Sequence, residues 1–225
     1  MAVMIAHASS DERGRLSGGK AGDQTGREVC IRSWYNRPWS HVIRFASSLM
    51  REKVAYAMER AANNNLIGYN QNRRNTLLTY ARKVKYDPGR VKTACETDCS
   101  ALVSVACIYA GVPESALFKG GNLSTTANLR ARLRATGDVT IYQGKEFAGS
   151  PDRLMRGDIL LYESHHVAVV VKGAVSEKTD KSIEELAREV IDGKWGSGPE
   201  RKKRLTDCGY NYNAVQAEVN RLLKL

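Results

Sequence analysis

The chain has 225 residues, 42% of them hydrophobic and 26% charged, with a formal net charge of +11; this suits one domain of ordinary size plus a small appendage. It has no run of about 18 apolar residues, which excludes a membrane-spanning helix, and its opening MAVMIAHASSDERG lacks the basic start and apolar stretch of a secretory signal. Its five cysteines, Cys30, Cys95, Cys99, Cys107 and Cys208, are an odd number without disulfide-dense spacing and fit manufacture in a reducing compartment.

After a short first strand, AGDQTGREVCIRSWYNRPW is rich in glycine, aromatics and polar groups and reads as a loop over a cleft. Trp34, Tyr35 and Trp39 can line a groove for sugar or peptide; as large aromatics they equally suit sealing the edge of the fold. WSHVIRFASSLMREKVAYAMERAANN reads as one long amphipathic helix with Val42, Phe45, Leu49, Val54 and Met58 inward, and TLLTYARKVK as a second. Asp87-Pro88-Gly89 turns the chain. A helix then starts at Cys99, capped by Asp98 or Thr97, burying Leu102, Val105, Ala106 and Tyr109 and ending at Gly111. Ser124 to Gly137 reads as another helix and Asp138 to Tyr142 as a strand. Arg156-Gly157-Asp158 form a turn, Ile159 to Leu161 a strand, and Val167 to Val171 the return strand of a hairpin.

Cys99 and the paired His165 and His166 carry the chemistry. The first amides of a helix lack intrahelical partners and bear partial positive charge, so a sulfur there is expected to ionise at a lowered pKa. Strand residues alternate faces, so only one of the two histidines can serve the thiol as a base. The competing reading is packing, because free cysteines are among the most buried residues. Closed zinc sites need four ligands, and Cys95, Cys99 and His165 lack paired close spacings on both sides, so no metal is expected and no cofactor is called for. Cys107 reads as core, and Cys95 as a neighbour able to oxidise with Cys99.

DCSALV followed by RGDILLYESHHVAVVVKG resembles the NlpC-type family of papain-like peptidoglycan hydrolases, with its D-C-S/A/G helix start and HVxxxxG strand. The resemblance implies an α+β fold, helices plus a small antiparallel sheet, with Cys99 as nucleophile, His166 as base and His165 as bystander. It also implies a polar residue on the next strand that orients the imidazole. No such strand follows Lys172-Gly173, but AVMIAHASSDERG resembles it, with His7 in the orienting position. The expectation is a circularly permuted domain whose last catalytic strand stands first. The Cys99 amide is the expected oxyanion donor, with Gln24 a second candidate as in papain-like sites; Asp98 and Trp34 are candidate substrate contacts.

SIEELAREVIDGKWGSGPERKKRLTDCGYNYNAVQAEVNRLL is similar to the CW-seven repeat, a three-helix cell-wall-binding module of lysins. Its spacing independently gives three short helices: one over Glu184 to Ile191, one starting at Pro199 and stopping at Gly209, and one capped by Asn213 that buries Val215, Val219 and Leu222. Trp195 and Leu205 are expected to hold the small core. The resemblance implies muropeptide binding, with Arg204, Asp192 and Tyr210 as candidate contacts. Lysins often carry several copies; one copy implies weak attachment unless the protein forms a homo-oligomer. The expected organisation is a hydrolase domain over 1–175, a linker over 176–181 and the repeat over 182–225.

Residues 182–225 hold eight Lys or Arg against seven Asp or Glu, so +10 of the charge lies earlier, densest at Arg73, Arg74, Arg82, Lys83, Lys85, Arg90 and Lys92. Such a surface speeds encounter with polyanions. Nucleic acid is not the expected partner, because no nucleic-acid-binding signature accompanies the charge; peptidoglycan and the anionic polymers of a Gram-positive wall are. The combined resemblances imply a phage or prophage endolysin, made in the host cytoplasm and released by a holin. It would cut a stem-peptide amide as an endopeptidase or as an amidase that separates the stem from muramic acid. A related cysteine acyltransferase and a non-catalytic wall-binding protein remain open alternatives.

Overall fold

The computed structural model describes residues 2–174, 181–208 and 210–223. The chain divides into two compact units, Met1–Val175 and Ser176–Leu225. Of the expected linker, residues 176–180 lie outside the described residues, as does the expected helix stop at Gly209.

The first unit runs β1 (Met4–Ala8), β2 (Val29–Ser33), β3 (His41–Phe45), α1 (Ser48–Ala62), β4 (Ile67–Tyr69), α2 (Thr76–Ala81), β5 (Cys95–Thr97) and α3 (Cys99–Ala110). It continues with α4 (Glu114–Leu117), β6 (Phe118–Lys119), β7 (Asn122–Leu123), α5 (Leu129–Arg134), β8 (Val139–Gln143), α6 (Lys145–Ala148), β9 (Ile159–Tyr162) and β10 (His166–Lys172). Six strands form one sheet in the order β2-β1-β10-β9-β3-β8, in which β1 lies antiparallel to β10 with Ile5 opposite Val170 and Ala6 opposite Val169. The chain's first strand therefore sits beside its last. The architecture is α+β with an antiparallel main sheet; β4 and β5 form a separate parallel pair.

Alternation along the strands divides the apolar residues between two cores. Ala6, Ala8, Ile43, Phe45, Ile159, Leu161, Val167 and Val169 face α1 and α3. On the other face Val3, Ile5, Val42, Leu160, Ala168 and Val170 meet Trp39, Ala148 and Leu154, the period of two that a sheet covered on both sides requires. The α3 helix is buried almost all round, Leu102, Val103, Val105, Ala106 and Cys107 being fully enclosed, while Tyr109 is half-buried.

Three readings need correction. The long helix expected from residue 39 onward is a strand and a helix: HVIRF pairs with β8 and β9, and Ser47 caps α1 by accepting the Met50 amide. Alternating β-branched and aromatic side chains favour the pleated surface, where two neighbouring strands are available to pair. The loop read over residues 21–39 contains β2, which pairs with β1 from Met4–Ser33 to Ala8–Val29. The helix read over 124–137 is helical only over Leu129–Arg134, ahead of Gly137 at φ +81°.

The second unit is three helices, α7 (Ile183–Ile191), α8 (Gly198–Asp207) and α9 (Tyr212–Leu223). Its core is Leu186, Ala187, Val190, Trp195, Leu205, Val215 and Val219. A Ser182–Glu185 capping box starts α7. Asn213 lies inside α9 instead of capping it; Asn211 supplies the cap, its Oδ1 accepting the Ala214 amide at 3.1 Å, because a cap must precede the first helical residue.

Candidate functional site

α3 begins where the sheet ends. Asp98, buried and extended, caps it by accepting the Ala101 amide at 2.7 Å, which makes Cys99 the first helical residue. Cys99 is 6% exposed, and its sulfur accepts hydrogen bonds from the backbone N–H groups of Ser100 and Val167. Val167 directly follows His166, so the thiol lies against the first residues of β10.

His166 is buried at the first residue of β10. On the adjacent strand the His7 ring meets it edge-on at 81°, and His7 Nδ1 lies 2.9 Å from His166 Nε2. Tyr35 and Trp39 continue the cluster: His7 and Tyr35 centroids are 6.4 Å apart, Tyr35 and Trp39 5.9 Å, and Trp39 and His166 6.0 Å. His165 points elsewhere, exposed and stacked on Tyr162 at 4.2 Å.

Electrostatics reverse one expectation. Burial pushes the Cys99 thiol up to about 12, with the neighbouring Asp98 charge adding to the effect, while the Val167 and Ser100 amides and Arg74 oppose it. The helix-start effect is therefore outweighed, because a thiolate enclosed in apolar surroundings loses its hydration. Burial, with His7 and Arg37 assisting, lowers His166 to about 3; burial, with Arg32 and Arg37 assisting, lowers His7 to about 4. All three groups are neutral near pH 7.

The other candidates fall into different places. Asp98 is tied into the fold: Arg74 donates to both of its carboxylate oxygens and the Ser100 hydroxyl donates to one, beside the Ala101 amide that it caps. Gln24 is exposed, and its amide donates to the Ala21 and Gly22 carbonyls, leaving no donor for an oxyanion. Trp34 is half-buried against the core that includes Trp39. In the second unit Arg204 is buried on α8, the Tyr210 ring meets Trp195 edge-on, and Asp192 pairs with Lys194 at 3.0 Å. Trp195 is core, its indole N–H donating to Glu189 at 3.0 Å.

Two residues near the thiol carried no recognisable signal. Tyr69 is buried on β4, and burial together with the Cys99 charge raises its phenol; the Gln71 amide donates to its hydroxyl at 3.2 Å. Arg74 joins the α3 cap to the carbonyls of Leu123 and Ser124 at 2.9 and 2.6 Å. The basic cluster is also less free than its composition implies, since Arg73, Arg74 and Arg82 pair with Glu96, Asp98 and Glu114. Cys95 and Cys107 are buried free thiols raised by burial. Among the described residues no three His, Cys, Asp or Glu side chains group to hold a metal ion, and no helix is long and apolar enough to cross a membrane.

Comparison with known proteins gives these features a family. A model described as an endolysin-like domain matches residues 5–177, and a CW_7 repeat model matches residues 184–223. Over 47 residues the chain is 48% identical to the lysozyme of Streptococcus phage Cp-7, a match covering 21% of this chain and 14% of that protein. No solved structure matches. The first unit's sheet and helices thus fall within the first family model and the three-helix unit within the second, and the chain belongs to the endolysin-like domain family, carrying a CW_7 cell-wall-binding repeat after that domain.

Proposed function

We propose that the protein is a cysteine-dependent peptidoglycan hydrolase that cuts an amide bond of the wall peptide stem, either within the stem or between muramic acid and the stem. The membership in the endolysin-like family and the CW_7 repeat support a cell-wall hydrolase. The observation that carries the cysteine mechanism is the His7–His166 hydrogen bond, on the strand whose Val167 amide touches the Cys99 sulfur.

In this reading His166 Nε2–H donates to His7 Nδ1, which leaves His166 Nδ1 as the basic nitrogen and assigns His7 the tautomer protonated at Nε2. His7 is then a positioning residue that also stabilises the imidazolium as it forms. With a thiol near 12 and an imidazole near 3, the resting pair is neutral. The proton therefore leaves sulfur as sulfur attacks the carbonyl carbon, general-base catalysis with no resting ion pair. His166 returns the proton to the departing amine, and water then hydrolyses the thioester. The Cys99 amide, first in its helix and without an intrahelical acceptor, is the oxyanion donor. The Tyr69 hydroxyl accepts from Gln71 and keeps its own hydrogen for the same oxygen.

The domain is read as a papain-like NlpC-type unit in permuted order, with β1 in the place of the strand expected after β10, a reading supported by their antiparallel pairing. Residues 1–175 would be the catalytic domain, 176–181 the linker and 182–225 the wall-binding module, which takes muropeptides. Release from a host cytoplasm through a holin and a role for homo-oligomers in attachment belong to the same proposal.

Mass analysis of fragments from purified Gram-positive walls tests it. The native protein should release new amine and carboxyl ends and Cys99→Ala none; the position of the new ends names the bond. Release that survives Cys99→Ala would move the chemistry elsewhere, and new cross-links in place of free ends would make the protein an acyltransferase. No release by the native protein would leave a wall-binding protein.

A further inference from the structure

The loop between β2 and β3 brings positive charge to the histidine pair. Arg37 is half-buried there, its guanidinium 5.8 Å from the Tyr162 ring centre and donating to the Tyr35 hydroxyl at 3.4 Å. Its charge reaches both His7 and His166. Among the described residues no carboxylate pairs with Arg37, although Arg44, Arg60, Arg74, Arg82, Arg130 and Arg156 all have such partners. Arg32 lies over the Tyr35 ring at 4.6 Å and adds to the same field at His7.

Three nitrogens of this region are also buried without a partner: Arg37 Nε, the Trp34 indole Nε1 and, a donor in the tautomer read above, His7 Nε2. Buried polar groups are normally hydrogen-bonded, and one left unmet is a standing cost to the fold. All three are nitrogens, and two of them, on Trp34 and Arg37, lie on the loop between β2 and β3. A ligand that relieves them must bring acceptors and negative charge.

We propose that Arg37, assisted by the Trp34 indole, forms a carboxylate-binding subsite beside the His7–His166 pair, which anchors the stem peptide by one of its free carboxylates. The proposal rests on the hydrolase reading for the identity of the substrate, and on the unpaired guanidinium and orphaned donors for the site itself. The Arg fork suits a planar carboxylate, which it holds by two parallel charge-assisted bonds. It would place the stem against Tyr35 and Trp39 and select acidic stems over amidated ones.

Binding to the full chain, made inactive by Cys99→Ala, separates the two readings. The probes are L-alanyl-γ-D-glutamyl-L-lysyl-D-alanine, the same peptide amidated at the glutamyl α-carboxylate, and the same peptide amidated at its C-terminus, titrated by calorimetry. One of the two amidations should weaken binding about ten- to a hundredfold, the range of a lost charge-assisted hydrogen bond. Arg37→Gln should weaken the free-acid peptide equally and make that amidation silent; Arg37→Lys should restore part of the affinity. Trp34→Phe, which keeps the ring and removes only the N–H, should give a smaller loss in the same direction. If neither amidation changes affinity, if the free-acid peptide shows no binding, or if Arg37→Gln leaves the preference intact, the subsite is refuted. A protein that binds these peptides with this preference yet releases nothing from walls would refute the hydrolase reading and leave the subsite standing.

Discussion

His7 and His166 are 159 positions apart in the chain and share a hydrogen bond of 2.9 Å. The bond exists because β1 pairs with β10, which sets residues from opposite ends of the first unit on one face of adjacent strands. Each ring limits the tautomer of the other, and both are buried and neutral.

Replacing His7 tests its positioning role. His7→Ala should lower kcat on purified wall fragments by about ten- to a hundredfold with little change in KM, since an orienting group acts on the transition state. His7→Asn, which retains an acceptor, should recover part of the loss. Undiminished hydrolysis by His7→Ala would remove His7 from the mechanism.

The pH dependence follows from the same pair. In the unfolded chain each histidine titrates near 6.5, whereas in the fold His7 falls to about 4 and His166 to about 3. Below 6.5 the unfolded state takes up protons that the folded state refuses, so stability falls as the pH drops from 6.5 toward 4, by up to about 1.4 kcal/mol per pH unit per histidine. Thermal melting between pH 4 and 8 should show this acid limb, and the His7→Phe variant should flatten it. Hydrolysis should lack a midpoint near 6.5 and persist to the pH at which the fold fails.

Asp98 distinguishes a cap from a substrate contact. Asp98→Ala removes the α3 cap and the four hydrogen bonds that the carboxylate accepts from Arg74, Ser100 and Ala101, so unfolding in urea should shift by about 1–3 kcal/mol. Asp98→Asn keeps the cap and loses the charge, so it should lie between the two. A raised KM with unchanged stability would instead make Asp98 a substrate ligand.

Gly157 holds the turn into β9 at φ +87°, where an added Cβ would stand 2.3 Å from the Arg51 carbonyl. Gly157→Ala combines backbone strain with a clash against α1 and should destabilise the first unit by at least about 2 kcal/mol, read as a lower denaturation midpoint.

Trp195 is the largest side chain of the second core and is 4% exposed. Trp195→Ala should cost about 3–5 kcal/mol, more than so small a bundle is expected to spare. The full chain should then fail to sediment with purified walls while still cleaving soluble fragments. Loss of both activities together would show that the units depend on each other.

Where local chemistry decides, the readings and the structure agree. Asp98 ahead of Cys99 and Gly111 after Ala110 mark the ends of α3, and short continuous apolar runs mark β9 and β10, which are buried on both faces. The failures came where a pattern serves two structures. Val42, Phe45 and Leu49 fall at helical spacing, yet HVIRF also alternates, and only the presence of β8 and β9 on either side makes it a strand. Asn211 and Asn213 are both acceptable caps in isolation; the position of the first turn of α9 chose the former.

The candidate site divides in the same way. Cys99 at a helix start, His166 at a strand start and the three C-terminal helices are local properties of the chain, determined by capping groups and apolar spacing. Tertiary structure decided the rest, because charge and hydrogen bonding depend on what surrounds a group and not on its neighbours in sequence. Enclosure between β10 and α3 raised the thiol instead of lowering it, strand pairing delivered His7 to His166, and folding set Tyr69 beside the sulfur and Arg37 beside Tyr35.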